Sequence, residues 1–375
     1  MNASSEVVII GGGLAGLCAA IHLSKLNHKV ILIEKNSYPN HKVCGEYISN
    51  EVIPYLAFLG LNPFDFGATK INRLQVSQID GRSLETILPL GGFGISRYTL
   101  DFELYKLAKK LKVELIQDTV TRIAYQQDEF VVQAKSETTI TAKIAIMATG
   151  KRSNLDKSLS REFIQEKAPF LAIKWHAQGE FPEDLVALHN FNGGYCGVSK
   201  VEDRRINFCF ITTYKSFKNY KDIPSFIHKE VSKNLHLKQL IAQTKQVINP
   251  PLSISQISFK SKPTIEQHAI MCGDAAGLIH PLCGNGMSMA IHGAKITSDY
   301  VHAFLTGKTS RSQMEQAYTK AWKREFASRL QTGRAAAYVF NNQTAMKAAY
   351  NVMYTFPDLL PWLIKRTHGK PLEID

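Results

Sequence analysis

A short glycine-rich segment near the N-terminus constrains the fold of this chain more than any other feature. The apolar run at 7–10 leads directly into GGGLAG at 11–16, which matches the pattern GxGxxG. Apolar residues with helical spacing follow, and a second apolar run at 30–33 ends in Glu34. Strand, glycine loop, helix, strand and acid therefore follow one another in the order of a dinucleotide-binding βαβ unit. The alternative interpretation, a glycine-rich turn without a ligand, does not require this order.

Each glycine of this unit has its own physical purpose when a dinucleotide is bound. Gly11 permits a tight turn, Gly13 lets a pyrophosphate approach bare backbone, and Gly16 lets the helix pack closely against the sheet. The phosphates then lie against unpaired N–H groups at the positive end of the helix dipole. Glu34, 18 residues after Gly16, is placed to accept hydrogen bonds from a ribose, and its charge repels a 2′-phosphate. We therefore expect FAD or NAD rather than NADP.

A second glycine-punctuated segment stands near residue 270. The apolar run at 269–272 leads into a Gly-Asp pair, and a glycine-containing loop precedes a predicted helix over 287–300. We predict that Asp274 binds a ribityl or ribose hydroxyl. The N–H groups of Gly286 and Met287 would face an electron-rich ring edge at the helix N-terminus, where negative charge is stabilised.

Together these motifs resemble the FAD-dependent para-hydroxybenzoate hydroxylase fold, most strongly its geranylgeranyl reductase-like branch. The resemblance is carried by GGGLAG with Glu34, RYTLDFEL at 97–104, ATG at 148–150 and GDAAGLIHPLCGNGM at 273–287. It implies an α/β fold with a Rossmann-type FAD-binding domain of the GR2 type, an interleaved antiparallel-sheet substrate domain and a helical C-terminal region. We expect the FAD-binding domain at 1–75, 95–165 and 262–305, the substrate domain at 76–94 and 166–261, and the helical region at 306–375.

The resemblance also implies cofactor roles for individual residues. Arg97 would contact the cofactor, and Val120 would contact adenine through its backbone. Cys44 belongs to a Cys-Gly pair that matches one near the flavin in the reductase branch, which makes it the only candidate catalytic side chain. The competing interpretations are a solvated charge for Arg97 and a small buried hydrophobe for Cys44. The predicted cofactor-binding set is Gly11, Gly13, Leu14, Ala15, Gly16, Glu34, Lys35, Cys44, Arg97, Val120, Gly150, Asp274, Gly284, Gly286 and Met287.

A β-rich region at about 170–213 is predicted to form the substrate wall. Because alternate residues of a strand face opposite sides, only one of the two sets can face a pocket. Ordinary core packing is the competing interpretation for each side chain. The candidates are Trp175, His176, Phe191, Tyr195, Cys196 and Phe208, together with Pro281.

Departures from the family patterns leave the reaction open. The aromatic hydroxylases usually carry Asp-Gly where this chain has Thr149-Gly150, the reductase branch tends to carry TGEG where it has CGNG at 283–286, and WxWxIP of the flavin halogenases is absent. We expect an FAD-dependent oxidoreductase that hydroxylates a lipophilic aromatic or polyketide-type molecule, with NAD(P)H as a transient reductant. The alternatives are reduction of a C=C bond in a prenyl chain and a non-catalytic, flavin-free binding protein.

The charge of the chain indicates an anionic partner. The excess of 45 Lys and Arg over 32 Asp and Glu gives +13, and residues 200–262 hold 12 basic residues against four acidic ones. A solvated face is the simpler interpretation of this stretch, which lies largely on a predicted helix over 224–243. The more specific interpretation is that the protein contacts anionic lipid through this surface or through the apolar segment at 356–364.

Other partners and sites are not predicted. No nucleic-acid-binding module is recognisable, and the six cysteines show no zinc spacing, so neither nucleic acid nor a metal is expected. A basic signal peptide and an apolar run of membrane-spanning length are both missing from the pattern. We therefore expect a cytoplasmic protein, with peripheral membrane contact left open.

Overall fold

A computed structural model describes residues 2–165 and 168–374. The strands are β1 (Asn2–Ile10), β2 (Val30–Glu34), β3 (Tyr47–Ser49), β4 (Thr69–Ser77), β5 (Ser83–Gly94), β6 (Glu114–Gln117), β7 (Val120–Gln126), β8 (Glu129–Ala134), β9 (Thr139–Met147), β10 (Phe170–Gln178), β11 (Leu185–Phe191), β12 (Gly194–Lys200), β13 (Ile206–Thr213), β14 (Lys245–Gln246), β15 (Leu252–Ile257), β16 (Ile265–Glu266) and β17 (Ala269–Met271). The helices are α1 (Leu14–Lys25), α2 (Ile53–Leu59), α3 (Arg97–Lys110), α4 (Leu155–Ser158), α5 (Tyr214–Phe217), α6 (Ile223–Lys229), α7 (Leu235–Gln243), α8 (Gly286–Leu305), α9 (Arg311–Asn341), α10 (Gln343–Thr355) and α11 (Leu359–Thr367).

The N-terminal strand lies inside an eight-stranded sheet. The order is β16-β17-β9-β1-β2-β6, and β8 joins β7 to β9. The pairs that β1 forms with β2 and β9 are parallel, and the side chains at 7–10 are buried, as in a sheet covered on both faces. Helix α1 packs against α3 and α8. The strand–loop–helix–strand unit expected over 7–34 is confirmed, with the helix beginning at Leu14 and β2 ending at Glu34.

The second sheet has nine strands in the order β14-β10-β13-β12-β11-β4-β5-β3, with β15 beside β10. Its pairs are antiparallel apart from β4 with β11. One face packs against α6 and α7 around Phe226 and Leu237. A Rossmann-type unit, a largely antiparallel sheet and a helical C-terminal region are therefore all present, which confirms the expected fold class.

One predicted element differs from the structure. The helix expected over 224–243 is broken, because Asn234 between α6 and α7 caps a new helix by accepting from the N–H groups of His236 and Leu237. The amide of Asn234 also donates to Ser77 Oγ at 2.9 Å, so the break is tied to β4. The apolar segment at 356–364 lies in the region expected to be helical, and most of it belongs to α11, which begins at Leu359.

The pairing of the strands is relevant to the domain boundaries expected from the sequence. These boundaries stay a prediction. Strands β3 and β4 pair within the nine-stranded sheet, although residues 1–75 were expected in the FAD-binding domain. The boundary at 75/76 falls inside β4. Within residues 2–165 and 168–374, no helix is long and apolar enough to cross a membrane.

Two helical glycines allow a matched test of this packing. A Cβ at Gly16 in α1 would lie 1.9 Å from the Gly11 carbonyl oxygen, whereas a Cβ at Gly293 in α8 would lie 3.8 Å from its nearest neighbour. We expect Gly16→Ala to lower the free energy of unfolding by about 1–3 kcal/mol through overpacking. We expect Gly293→Ala to leave it unchanged or to raise it by up to about 1 kcal/mol, because alanine is the better helix former. Urea unfolding of the two variants measures both values, and equal effects would contradict the close approach.

Candidate active site

A cavity of about 670 Å3 lies between the two sheets and the C-terminal helices. Its walls come from the glycine loop after β1, the Cys44–Gly45 loop, one face of the nine-stranded sheet, the start of α8, and α9 to α11. Apolar side chains make up most of these walls, which is typical of a site for an apolar ligand. A more polar cleft of about 920 Å3 adjoins it and shares Tyr47 and His368.

One end of the cavity presents bare backbone. Gly13 caps α1 without a side-chain hydrogen bond, and a Cβ on it would meet only Arg97 Nη2, at 3.5 Å. A Cβ at Gly45 or Gly150 would meet nothing within 4 Å. Helix α8 also begins beside the cavity without a side-chain cap. Two positive helix ends and open glycine backbone thus suit an anionic, extended ligand.

Glu34 organises the glycine loop. Its Oε2 accepts from the Gly12 N–H at 2.7 Å, and its Oε1 accepts from Asn36 at 2.9 Å. The Tyr38 hydroxyl donates to the Gly12 carbonyl, and a Cβ at residue 12 would lie 1.9 Å from that hydroxyl. The pattern GxGxxG allows any residue at position 12. Only the contact with Tyr38 shows that a side chain at this position would not fit.

Arg97 is a fixed cation in the cavity wall. Its Nε and Nη2 donate to the two carboxylate oxygens of Asp101 at 2.7 and 2.8 Å, and Lys42 Nζ donates to Asp101 at 2.7 Å. Burial by itself would raise the pKa of Asp101, but Arg97 and Lys42 outweigh it and hold that pKa below its usual range. The solvated-charge interpretation of Arg97 was therefore wrong, because its side chain is only 14% exposed.

Comparisons with known proteins agree with this arrangement. Residues 5–165 match the family model described as pyridine nucleotide-disulphide oxidoreductase. The chain is 22% identical to conditioned medium factor receptor 1 of Dictyostelium discoideum, over 86% of this chain and 68% of that protein. It is 23% identical to digeranylgeranylglycerophospholipid reductase 1 of Methanosphaera stadtmanae, over 94% of this chain and 86% of that protein. It is also 23% identical to squalene monooxygenase of Mus musculus, over 78% and 54%.

Solved structures show the same fold. The flavin-dependent brominase Bmp2 superposes with a TM-score of 0.79 at 16% identity, covering 96% of this chain and 93% of that one. A geranylgeranyl bacteriochlorophyll reductase-like protein from Thermoplasma acidophilum gives a TM-score of 0.76 at 17% identity, covering 100% and 94%. These similarities identify the chain as a flavin-dependent oxidoreductase. The matched family model and the flavoprotein neighbours support FAD as its cofactor.

Many of the predicted contacts of this oxidoreductase border the cavity. The open backbone at Gly13 and Gly150 and the cation of Arg97 fit the cofactor. Gly11 and Gly16 lie behind the loop, where they permit its close approach to Ala148. The predicted residues that line the cavity are Gly13, Leu14, Ala15, Cys44, Arg97, Gly150, Asp274, Gly284, Gly286, Met287, Tyr195 and Pro281.

The other predicted cofactor residues lie outside the cavity lining. Glu34 acts on the loop as described above, Lys35 is exposed, and Val120 is buried at the start of β7. Their contacts with FAD, like those of the lining residues, stay a prediction.

Four residues of the predicted substrate wall lie on the wrong face of the oxidoreductase's nine-stranded sheet. Trp175, Phe191, Cys196 and Phe208 belong to the core against α6 and α7, where the rings of Trp175 and Phe208 stack with centroids 4.9 Å apart. The two-residue period of the strands decides this, because alternation places one set in that core and the other toward the cavity. The cavity-lining residues of this sheet that sequence reasoning missed include Ala172, Leu188, Ser199, Cys209 and Ile211.

A buried ionic cluster supports the Cys44–Gly45 loop. Glu46, at a left-handed φ of +56°, accepts from Lys174 Nζ and shares a 2.7 Å hydrogen bond with His176 Nε2. The side chains of all three are fully buried. Burial favours neutral Glu46, yet Lys174 and His176 outweigh it and lower its pKa. His176, predicted as substrate wall, instead belongs to this support. The sequence signal was a lysine inside the apolar run FLAIKWH.

A double-mutant cycle tests this cluster. Removing one partner of a buried ion pair leaves an uncompensated charge, so we expect Glu46→Gln or Lys174→Met each to lower the free energy of unfolding by about 3–5 kcal/mol. The double variant should lose less free energy of unfolding than the two single variants lose together, and we expect this difference, the coupling energy, to be about 1–3 kcal/mol. The exposed pair Arg205 and Asp203, joined at 3.0 Å, is the control, with an expected coupling under about 1 kcal/mol. Additive losses in the buried pair would contradict the assignment.

Proposed function

We propose that this oxidoreductase hydroxylates a lipophilic aromatic or polyketide-type molecule with FAD, O2 and NAD(P)H. One oxygen atom of O2 enters the substrate and the other leaves as water, with FAD passing on the two electrons that NAD(P)H supplies. The observation that carries the proposal is the continuity of one apolar cavity from the glycine loop to the C-terminal helices.

The apolar part of the cavity favours a lipophilic substrate. Leu278, Leu282 and Ile211 pack with Tyr195 next to the proposed flavin end, and Met346 and Leu360 continue the wall among the C-terminal helices. Such walls exclude water from the reacting centre and bind apolar surface at about 25 cal/mol per Å2.

Two polar groups in this wall support a substrate that carries oxygen. Among the described residues, the Tyr47 hydroxyl and His368 Nε2 have no hydrogen-bond partner although both are buried. Their rings lie 6.2 Å apart. Buried polar groups without partners are costly, so a ligand with a hydroxyl or carbonyl group would satisfy them and a plain hydrocarbon would not.

The hydrogen bonds of His368 indicate how it would act. Its Nδ1 lies 3.0 Å from the Ile364 carbonyl oxygen, so Nδ1 carries the proton and donates. The other ring nitrogen, Nε2, is then an acceptor, and burial lowers the pKa of His368, which keeps it neutral. A neutral imidazole nitrogen at the cavity wall can take the proton of a phenol and so make the ring more electron-rich.

Reduction of a C=C bond in a prenyl chain is the second candidate. Cys44 and Gly45 line the cavity, and the resemblance to the reductase branch implies a Cys-Gly pair near the flavin. A relative named as a digeranylgeranylglycerophospholipid reductase also matches over 94% of this chain.

Oxygen dependence separates the two reactions. With the purified FAD-loaded protein, we expect substituted phenols and aromatic polyketides to stimulate both NAD(P)H oxidation and O2 uptake and to yield a hydroxylated product. Anaerobic turnover of geranylgeranyl lipids, with saturation of the chain, would overturn hydroxylation in favour of reduction. A colourless protein that takes up no FAD would instead support the non-catalytic alternative.

The proposed base gives a second test. We expect His368→Gln to lower kcat/KM for a phenolic substrate by about 100-fold, as for loss of a general base. Because burial lowers the pKa of His368, activity of the unmodified protein should persist below pH 6.5, the ordinary value for histidine. His268→Gln is the control, since that exposed ring pairs with Glu315. A pH–rate profile that is unchanged in His368→Gln would contradict the role.

A further inference from the structure

The exposed apolar side chains of this protein concentrate at the C-terminal helices. Half of the twelve large apolar residues that are exposed in the described chain lie between residues 338 and 363. Five of them form what we term the C-terminal apolar patch: Val352, Tyr354, Phe356, Trp362 and Leu363, with exposed fractions from 38% to 69%. Exposed aromatic groups in one region mark an interaction site.

This patch surrounds the mouth of the cavity. Val352, Trp362 and Leu363 line the cavity and are also exposed, at 49%, 49% and 38%. We place the opening of the cavity at these side chains, because they line it and stay exposed. Tyr354 lies in the last turn of α10 and Phe356 caps its C-terminal end, and they are exposed at 69% and 62%.

Basic residues accompany the patch. Between residues 347 and 370 the chain carries Lys347, Lys365, Arg366 and Lys370 against one acid, Asp358. The Arg366 guanidinium lies 4.4 Å from the centre of the Trp362 ring. Aromatic rings with flanking Lys and Arg are typical of the boundary between water and a bilayer, where the cations meet anionic headgroups.

We propose that α10 and α11 dock this face onto a bilayer that carries anionic headgroups, with the mouth of the cavity toward the lipid. A lipophilic substrate then passes from the membrane into the cavity without crossing water. That access route rests on the proposed function, whereas the docking itself does not.

A bilayer fits the patch better than a second copy of the chain does. Two copies of a chain of charge +13 repel each other, and a protein seated on the patch would close the mouth. The basic stretch at 200–262 is the weaker alternative for lipid contact. Its exposed large apolar residues, Tyr214, Leu235 and Val247, lie outside the cavity lining.

Vesicle binding by the full-length FAD-loaded protein tests the proposal. We expect sedimentation with vesicles of phosphatidylcholine and phosphatidylglycerol, weaker binding to phosphatidylcholine alone, and loss of binding at high salt. Trp175 and Trp322 are buried, so a blue shift of tryptophan emission on binding reports the insertion of Trp362.

Variants locate the binding surface. We expect Phe356→Ser, and separately Lys365→Glu with Arg366→Glu, to weaken vesicle binding by at least about tenfold. Turnover of a water-soluble substrate should stay unchanged in Phe356→Ser, which separates a failure of docking from a failure of the proposed function. The matched controls, Tyr214→Ser and Lys218→Glu with Lys221→Glu, change exposed residues of the 200–262 stretch and should bind as the unmodified protein does.

Three results would overturn the proposal. The first is no binding to either vesicle. The second is binding lost in the 200–262 variants and retained in the patch variants, which would assign contact to that surface. The third is a concentration-dependent dimer that Phe356→Ser dissociates, which would assign the patch to a second copy.

Discussion

The start of α1 reaches the cavity because Gly16 brings no side chain between the helix and the Gly11 carbonyl oxygen. A Cβ there would lie 1.9 Å from that oxygen, and one at Gly11 would lie 2.4 Å from the oxygen of Ala148. This close approach aims the first N–H groups of α1 and the backbone of Gly13 at the end of the cavity where we expect the pyrophosphate to bind. The second sheet and the C-terminal helices then complete the cavity around this end.

Buried charges hold the segments that border the cavity. Glu46 with Lys174 supports the Cys44–Gly45 loop from the nine-stranded sheet, and Asp101 orients Arg97 from α3. Such pairs contribute little net stability, since desolvation opposes the Coulomb attraction. Their main effect is to fix the position of the segments that carry them. Removing either partner would leave an unpaired charge where water cannot reach it. This gives a physical reason for a lysine inside the otherwise apolar segment FLAIKW at 170–175.

The local spacing of residues in the sequence predicted the bounds of the Rossmann unit closely, but it predicted the residues of the substrate wall poorly. The spacing of glycines and apolar residues over 7–34 is a local property, so the start of α1 and the end of β2 followed from it. The wall depends on which face of a strand meets the cavity. Trp175 and Ala172 lie on the same strand three residues apart, and only the packing of α6 and α7 decides that Trp175 turns away.

The sequence by itself determined the dinucleotide loop, because that loop depends on backbone conformation at a few glycines and on one apolar period. The fold class and FAD followed from the resemblance of its motifs to a flavoprotein family. The tertiary structure alone decided which side chains share a site. Tyr47 and His368 are 321 residues apart in the chain, and their rings meet in one wall. The apolar residues at 352–363 surround the cavity mouth only once α10 and α11 are folded against the sheet. Contacts of that range follow from packing, which no local spacing encodes.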